Sequence, residues 1–115
     1  MEIAKRMIRV AFEAKATVAK FQKRNNKEFL TEAQYNAPHP NKMHSFGEPY
    51  GAHREFLEFS IEQHRQLKLY AESLGIMYSS STFDVSSAKE IITLKPDYIK
   101  VPSACNNHFA MLRVL

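Results

Sequence analysis

Two lysines stand in stretches that otherwise read as buried strands. In "TVAKFQ", residues 17 to 22, Lys20 follows Val18 and Ala19 and precedes Phe21, and in "YIKVPSACNNHF", residues 98 to 109, Lys100 lies between Ile99 and Val101. A lysine in such a strand costs free energy unless an anion meets it or its ammonium reaches water. Successive strand residues point to opposite faces, so Lys20 and Gln22 share a face opposite Phe21, and Lys100 stands opposite Ile99 and Val101. Hydroxyls keep them company: Ser79, Ser80 and Ser81 end the apolar run between the two lysines, and Ser103 follows the second. Ammonium groups beside hydroxyls and an amide suit a ligand carrying phosphate or carboxylate. The spacing alone leaves a second reading equally open, in which each lysine snorkels past the end of its strand into water.

The other chemistry-bearing residues are less organised. His39, His44, His53, His64 and His108 show no metal-ligand spacing and read as surface or packing histidines. Cys105 has no evident activating base and reads as a buried thiol. There is no glycine-rich phosphate loop and no Ser-His-Asp arrangement.

The elements that position the lysines follow from pattern. Residues 2 to 16 have helical period, with Ile3, Met7, Val10, Ala11 and Ala14 on one face. Residues 17 to 22 form a first strand. Residues 23 to 54 include "NAPHPNKMHSFGEPYG", rich in Pro and Gly, and read as one long loop. A helix follows, capped by a Ser60–Gln63 box, with Leu57, Ile61, Leu67, Tyr70, Ala71 and Leu74 as its apolar stripe and Gly75 as its stop. Residues 76 to 80 form a second strand. Asp84, Ser86 or Ser87 caps the next helix, Ser87 with Glu90 fitting a second box, and that helix ends near Leu94 before Pro96. Residues 98 to 101 form a third strand, and Asn106 or Asn107 caps a last helix. Strands alternating with helices predict an α/β fold with a parallel sheet covered on both faces. Ligands of such folds bind at the C-terminal edge of the strands, where the lysines and serines lie.

Bulk properties narrow the class. The chain has 115 residues, 44% of them hydrophobic and 24% charged, as a globular domain has. No run reaches the length of a membrane span, and Lys5, Arg6 and Arg9 interrupt any signal core, so no membrane association and a cytoplasmic location are expected. A single cysteine points the same way. The net charge of +4 is uneven: residues 1 to 30 hold eight Lys/Arg and three Glu. That excess raises nucleic acid as a partner, but the stretch lacks the interleaved aromatics that base stacking needs, and no nucleic acid is expected.

The segments "AKFQKR", "YNAPHPNKMHSFGEPYGAHREFLEFSIEQHRQLKLYAESLGI", "SSSTFD" and "YIKVPSA" resemble, in this order, the sialic acid synthases, which make N-acetylneuraminate and related nonulosonic acids. The resemblance runs from about residue 4 to the C-terminus. It implies a (β/α)8 barrel, and a C–C bond-forming transferase that condenses phosphoenolpyruvate with N-acetylmannosamine or a related amino sugar and releases phosphate. It implies a divalent metal, manganese or magnesium, that polarises the sugar aldehyde, and a homodimer for the complete enzyme. Carried over position by position, Lys20, Ser81, Lys100 and Ser103 fall where the family holds phosphoenolpyruvate, and Gln22 falls where a glutamine faces the sugar. On this resemblance Lys100 sits in its strand to pair with a substrate anion.

The chain also departs from the family pattern. Bacterial members often carry a glutamate, proposed as an acid/base group, where this chain has Cys105, so the catalytic group is not assigned. "EAKAT" lacks the family's glycine between helix 1 and strand 2. The barrel's first strand, its strands 5 to 8 with the metal-binding histidines, and the C-terminal antifreeze-like domain have no counterpart here. A complete barrel takes about 250 residues. The expectation is a partial barrel of strands 2 to 4 with flanking helices, residues 1–115 forming a fragment of the barrel domain. Such a chain is expected to supply part of an anion site but to lack synthase activity alone, and its uncovered apolar surface favours aggregation or partial unfolding. The alternatives are a non-catalytic truncated remnant and a small basic nucleic-acid-binding protein.

Overall fold

The computed structural model describes all 115 residues, Met1 to Leu115. Helix α1 (Glu2–Glu13) leads into strand β1 (Val18–Lys23). Short helices α2 (Asn26–Phe29) and α3 (Glu32–Asn36), a 3-10 turn (Lys42–His44) and helix α4 (Tyr50–Leu57) follow. Then come α5 (Ile61–Leu74), β2 (Met77–Thr82), α6 (Val85–Thr93), β3 (Tyr98–Lys100), a second 3-10 turn (Ser103–Cys105) and α7 (Phe109–Leu112). The strands form one parallel sheet in the order β1-β2-β3, as the alternation of strands and helices predicts.

Local chemistry sets the element ends. Ser60 caps α5: its hydroxyl accepts from the Gln63 N–H at 3.2 Å, while the Gln63 side chain accepts from the Ser60 N–H at 2.8 Å. Gly75 closes the helix in the left-handed region, at φ 80°, where a side chain would be strained. Asp84 is the cap of α6, accepting from the Ser87 N–H at 2.7 Å. Ser87 is therefore inside the helix rather than at the head of a second box. The last helix is capped by His108, not by Asn106 or Asn107.

The segment expected as one long loop carries more structure than its prolines suggest. Thr31 and Gln34 form a capping box on α3. Helix α4 packs so closely on Tyr35 that a Cβ at Gly51 would overlap the tyrosine ring. Leu57 belongs to α4 and is exposed, so the stripe of α5 rests on Leu67 and Ala71, both fully buried.

Ala4, Ile8, Ala19, Leu67, Ala71, Ile76 and Tyr78 form the main core between α1, α5 and one face of the sheet. A smaller cluster of Ala88, Cys105 and Met111 lies under α6 and α7. Helix α1 turns Ala4 and Ile8 inward, whereas Ile3, Met7 and Val10 of the expected apolar face are 63–75% exposed. The stripe is wider than the surface α5 and β1 offer it, and the outer part remains uncovered. Tyr98 is likewise exposed and Ile99 and Val101 only half-buried, because β3 pairs on one side alone. No helix is long and apolar enough to cross a membrane.

Candidate functional site

In a parallel ladder, paired residues present their side chains on the same face. The register pairs Gln22 with Ser81 and Ser81 with Lys100, and one step earlier Lys20 with Ser79 and Ser79 with Tyr98. Two rows result on one face of the sheet: Gln22, Ser81 and Lys100 nearest the C-terminal edge, and Lys20, Ser79 and Tyr98 behind them. Lys100 ends its strand, whereas Lys20 is mid-strand in β1 and reaches the edge only by the length of its side chain. Ser103 lies just past the end of β3, exposed, in the 3-10 turn.

Lys20, Gln22 and Lys100 are exposed, while Ser81 is 2% exposed. The ion-paired lysines are others: Lys23 with Glu90 at 3.2 Å, Lys42 with Glu48 and Lys68 with Glu72. Lys20 and Lys100 thus bring two unpaired ammonium groups to a face that carries no carboxylate. Such a face attracts a compact anion. It offers no evident general acid or base, and Cys105 does not supply one. Its thiol is buried against the Phe83 carbonyl, and burial, with the Asp84 carboxylate nearby, raises its pKa.

Carboxylates organise the turns at the edge instead of lining the face. Asp84 is buried and accepts from the Asn25 N–H at 2.7 Å and the Ser87 hydroxyl at 2.9 Å, besides its helix cap. It thereby ties the turn after β1 to the turn after β2. Glu28 accepts from the Val85 N–H at 3.0 Å, a second tie between those turns. Glu58 accepts from both the N–H and the guanidinium of Arg24 at 3.2 Å. Burial lifts the Glu58 carboxyl above its usual range, while Arg24 and Lys23 pull it back down. Arg24 also donates to the Gln22 side chain and lies 4.3 Å over the Phe83 ring. The sequence flagged Asp84 only as a helix cap and gave no role to Arg24, Glu28 or Glu58. The available signal for Arg24 and Glu28 was their place just after the first strand, in "AKFQKR" and "NNKEF"; Glu58, between α4 and α5, carried none.

Two of the histidines are packing groups. His64 is fully buried; its Nδ1 shares a hydrogen bond of 2.6 Å with the Tyr78 hydroxyl, and its Nε2 meets no partner. Burial, with Lys23 nearby, lowers its pKa to about 4. His53 is nearly buried, accepts from the Phe46 N–H at 3.1 Å and packs against His39. No three His, Cys, Asp or Glu side chains converge as metal ligands.

The cavities sort by character. The largest, about 490 Å3, is an open apolar groove along α1 beside Ile3, Met7 and Val10. One of about 280 Å3 lies at the C-terminal end of β1 and is walled by Gln22, Arg24, Arg54 and Glu58.

The chain is similar to known proteins over nearly its whole length. The chain is 38% identical over 112 residues to N-acetylneuraminate-9-phosphate synthase of Homo sapiens and 32% identical over 113 residues to that of Drosophila melanogaster. The matches take in 97% and 98% of this chain but only 31% and 30% of those proteins, so the chain spans under a third of their length. The crystal structure of an N-acetylneuraminic acid (sialic acid) synthetase from Leptospira borgpetersenii serovar Hardjo-bovis, in complex with citrate, superposes on 98% of the chain with a TM-score of 0.75. That superposition takes in 35% of the Leptospira chain at 24% identity, and it shows the fold: the three β/α units are an arc of that TIM-barrel-type architecture. The model of the NeuB family matches residues 7–115. A chain matched over nearly its whole length by that model, and by synthases from animals, belongs to the NeuB family.

Proposed function

We propose that this chain is the phosphoenolpyruvate-holding part of a nonulosonic acid synthase, with residues 1–115 forming strands 2 to 4 of its barrel domain. The observation that carries the reading is the pair of unpaired ammonium groups, Lys20 and Lys100, on one carboxylate-free face with Ser81 between their strands. Phosphoenolpyruvate carries a phosphate and a carboxylate, and two ammonium groups on separate strands can each take one end. Ser81 and Ser103 add hydroxyl donors, and Gln22 faces the sugar.

In the proposed reaction the enol carbon of phosphoenolpyruvate forms a bond to the aldehyde carbon of an N-acetylmannosamine-type sugar. Water adds at the neighbouring carbon and phosphate leaves. The lysines hold the anion and stabilise the departing phosphate. Three carbons from phosphoenolpyruvate and six from the sugar make a nine-carbon product, so the 9-phosphate in the relatives' names corresponds to a 6-phosphate on the sugar. We extend the reading to such a phosphorylated amino sugar. The side chains present do not fit a manganese or magnesium ion.

The experiment is equilibrium binding of phosphoenolpyruvate to the chain, its Lys20→Ala and Lys100→Ala variants, and the double variant, with inorganic phosphate for comparison. Phosphoenolpyruvate should bind more tightly than phosphate, and each variant should lose affinity. Equal affinity in the wild type and the double variant would overturn the assignment. In a phosphate-release assay with N-acetylmannosamine and its 6-phosphate, the chain alone should show no turnover.

A further inference from the structure

Arg54 is a half-buried arginine with no carboxylate partner. It sits in the last turn of α4 and lines the cavity of about 280 Å3 at the end of β1. The same wall carries Gln22, whose side chain accepts from Arg24. One anion, Glu58, also borders the cavity. It is held by Arg24 through the backbone N–H and the guanidinium, both at 3.2 Å, so those two contacts engage both of its oxygens. With Arg24 and Glu58 offsetting each other, Arg54 leaves the cavity with net positive charge. Phe21, Leu57 and Phe59 complete its lining.

The position is specific. Gln22 belongs to both groups: it shares a row of the sheet with Ser81 and Lys100, and it lines the cavity with Arg24 and Arg54. A sugar with its aldehyde toward the lysines and its chain past Gln22 would bring its far end to Arg54.

We propose that the Arg54 cavity is the subsite for the distal phosphate of a phosphorylated amino sugar and that Arg54 determines the preference for that phosphate. The inference rests on the reading under Proposed function and adds to it a site and a residue. A guanidinium presents two parallel N–H donors to a phosphate, a geometry that an ammonium does not reproduce.

The test measures dissociation constants of N-acetylmannosamine 6-phosphate and of N-acetylmannosamine for the chain saturated with phosphoenolpyruvate. Wild type, Arg54→Met and Arg54→Lys are compared. The wild type should bind the phosphorylated sugar roughly tenfold or more tightly than the unphosphorylated one, as a charge-assisted contact allows. Arg54→Met should erase that ratio without changing affinity for the unphosphorylated sugar, and Arg54→Lys should keep part of it. A ratio that survives in Arg54→Met, a wild type that does not discriminate, or no binding of either sugar overturns the proposal. Phosphoenolpyruvate affinity, measured in the same samples, separates the two levels. If it is retained and depends on Lys100 while the sugars are not discriminated, only the Arg54 subsite fails. If phosphoenolpyruvate itself does not bind, the underlying reading fails too. A circular dichroism spectrum of Arg54→Met matching the wild type excludes misfolding as the cause of a lost ratio.

Discussion

On the helix-covered face of the sheet, Lys23 meets Glu90 at 3.2 Å and is 9% exposed. Three residues earlier on the same strand, Lys20 points to the other face, stays exposed and meets no carboxylate. The covered face pairs its polar groups internally, Tyr78 with His64 and Lys23 with Glu90. The open face leaves Lys20 and Lys100 without ion pairs. Internal pairing lowers the cost of burying a charge. Leaving cations unpaired at a surface keeps them free for a ligand. The comparison separates a lysine that serves stability from one that serves binding, although both occur in "AKFQKR".

Substitutions on the covered face should change stability and leave anion binding alone. Leu67 is fully buried, and Leu67→Ala should destabilise the chain by about 4 kcal/mol, read by urea unfolding. An unchanged midpoint would mean that α5 does not pack as described.

Acidification should act on the same face. His64 has its folded pKa lowered from 6.5 to about 4. Between those values the unfolded chain binds a proton that the folded chain refuses, so stability falls as pH drops. The contribution is complete above pH 6.5, and about 3 kcal/mol of it is lost by pH 4. Urea unfolding of wild type and His64→Gln at pH 7 and pH 4.5 should show a gap that shifts in the variant's favour at the lower pH. A pH-independent gap would rule out a histidine buried in its neutral form.

The open face should behave in the opposite way. Lys100→Ala should weaken phosphoenolpyruvate binding by about 2 kcal/mol while the urea midpoint stays put. A large loss of stability with intact binding would erase the distinction between the faces. The smallest effect concerns neither face. Ser60→Ala should remove about 1 kcal/mol from α5, seen as a lower melting temperature with unchanged anion affinity.

The sequence was readable where the rule is local. The Ser60–Gln63 box, the Gly75 stop and the alternation of Lys20, Phe21 and Gln22 depend on neighbours a few residues apart, and each occurs as expected. The parallel order followed from strand-helix alternation. Non-local packing was not readable. The Ile3, Met7 and Val10 stripe predicted a buried face, yet Ala4 and Ile8 make the contact because α5 reaches only that side. Proline and glycine masked α2, α3 and α4; the Thr31–Gln34 box on α3 and the Gly51–Tyr35 contact between α3 and α4 hold short helices that propensity alone would not. The positions of the candidate site residues came from the family resemblance joined to alternation. The Arg24–Glu58 pair spans 34 residues and left no local trace.

Asp84 carries a consequence for the order of assembly. It holds Asn25 across 59 residues of sequence, whereas Glu58 holds the neighbouring Arg24 N–H across 34, so the turn beyond β1 is fully anchored only once residue 84 has left the ribosome. Translation thus presents the Lys20 strand early and fixes its outer turn late, after β2 has joined the sheet. The two turns mature together, and a change in the length of either must be accommodated by the other. Natural variation in this stretch should therefore arrive as paired changes on both sides of the aspartate rather than as independent loop insertions.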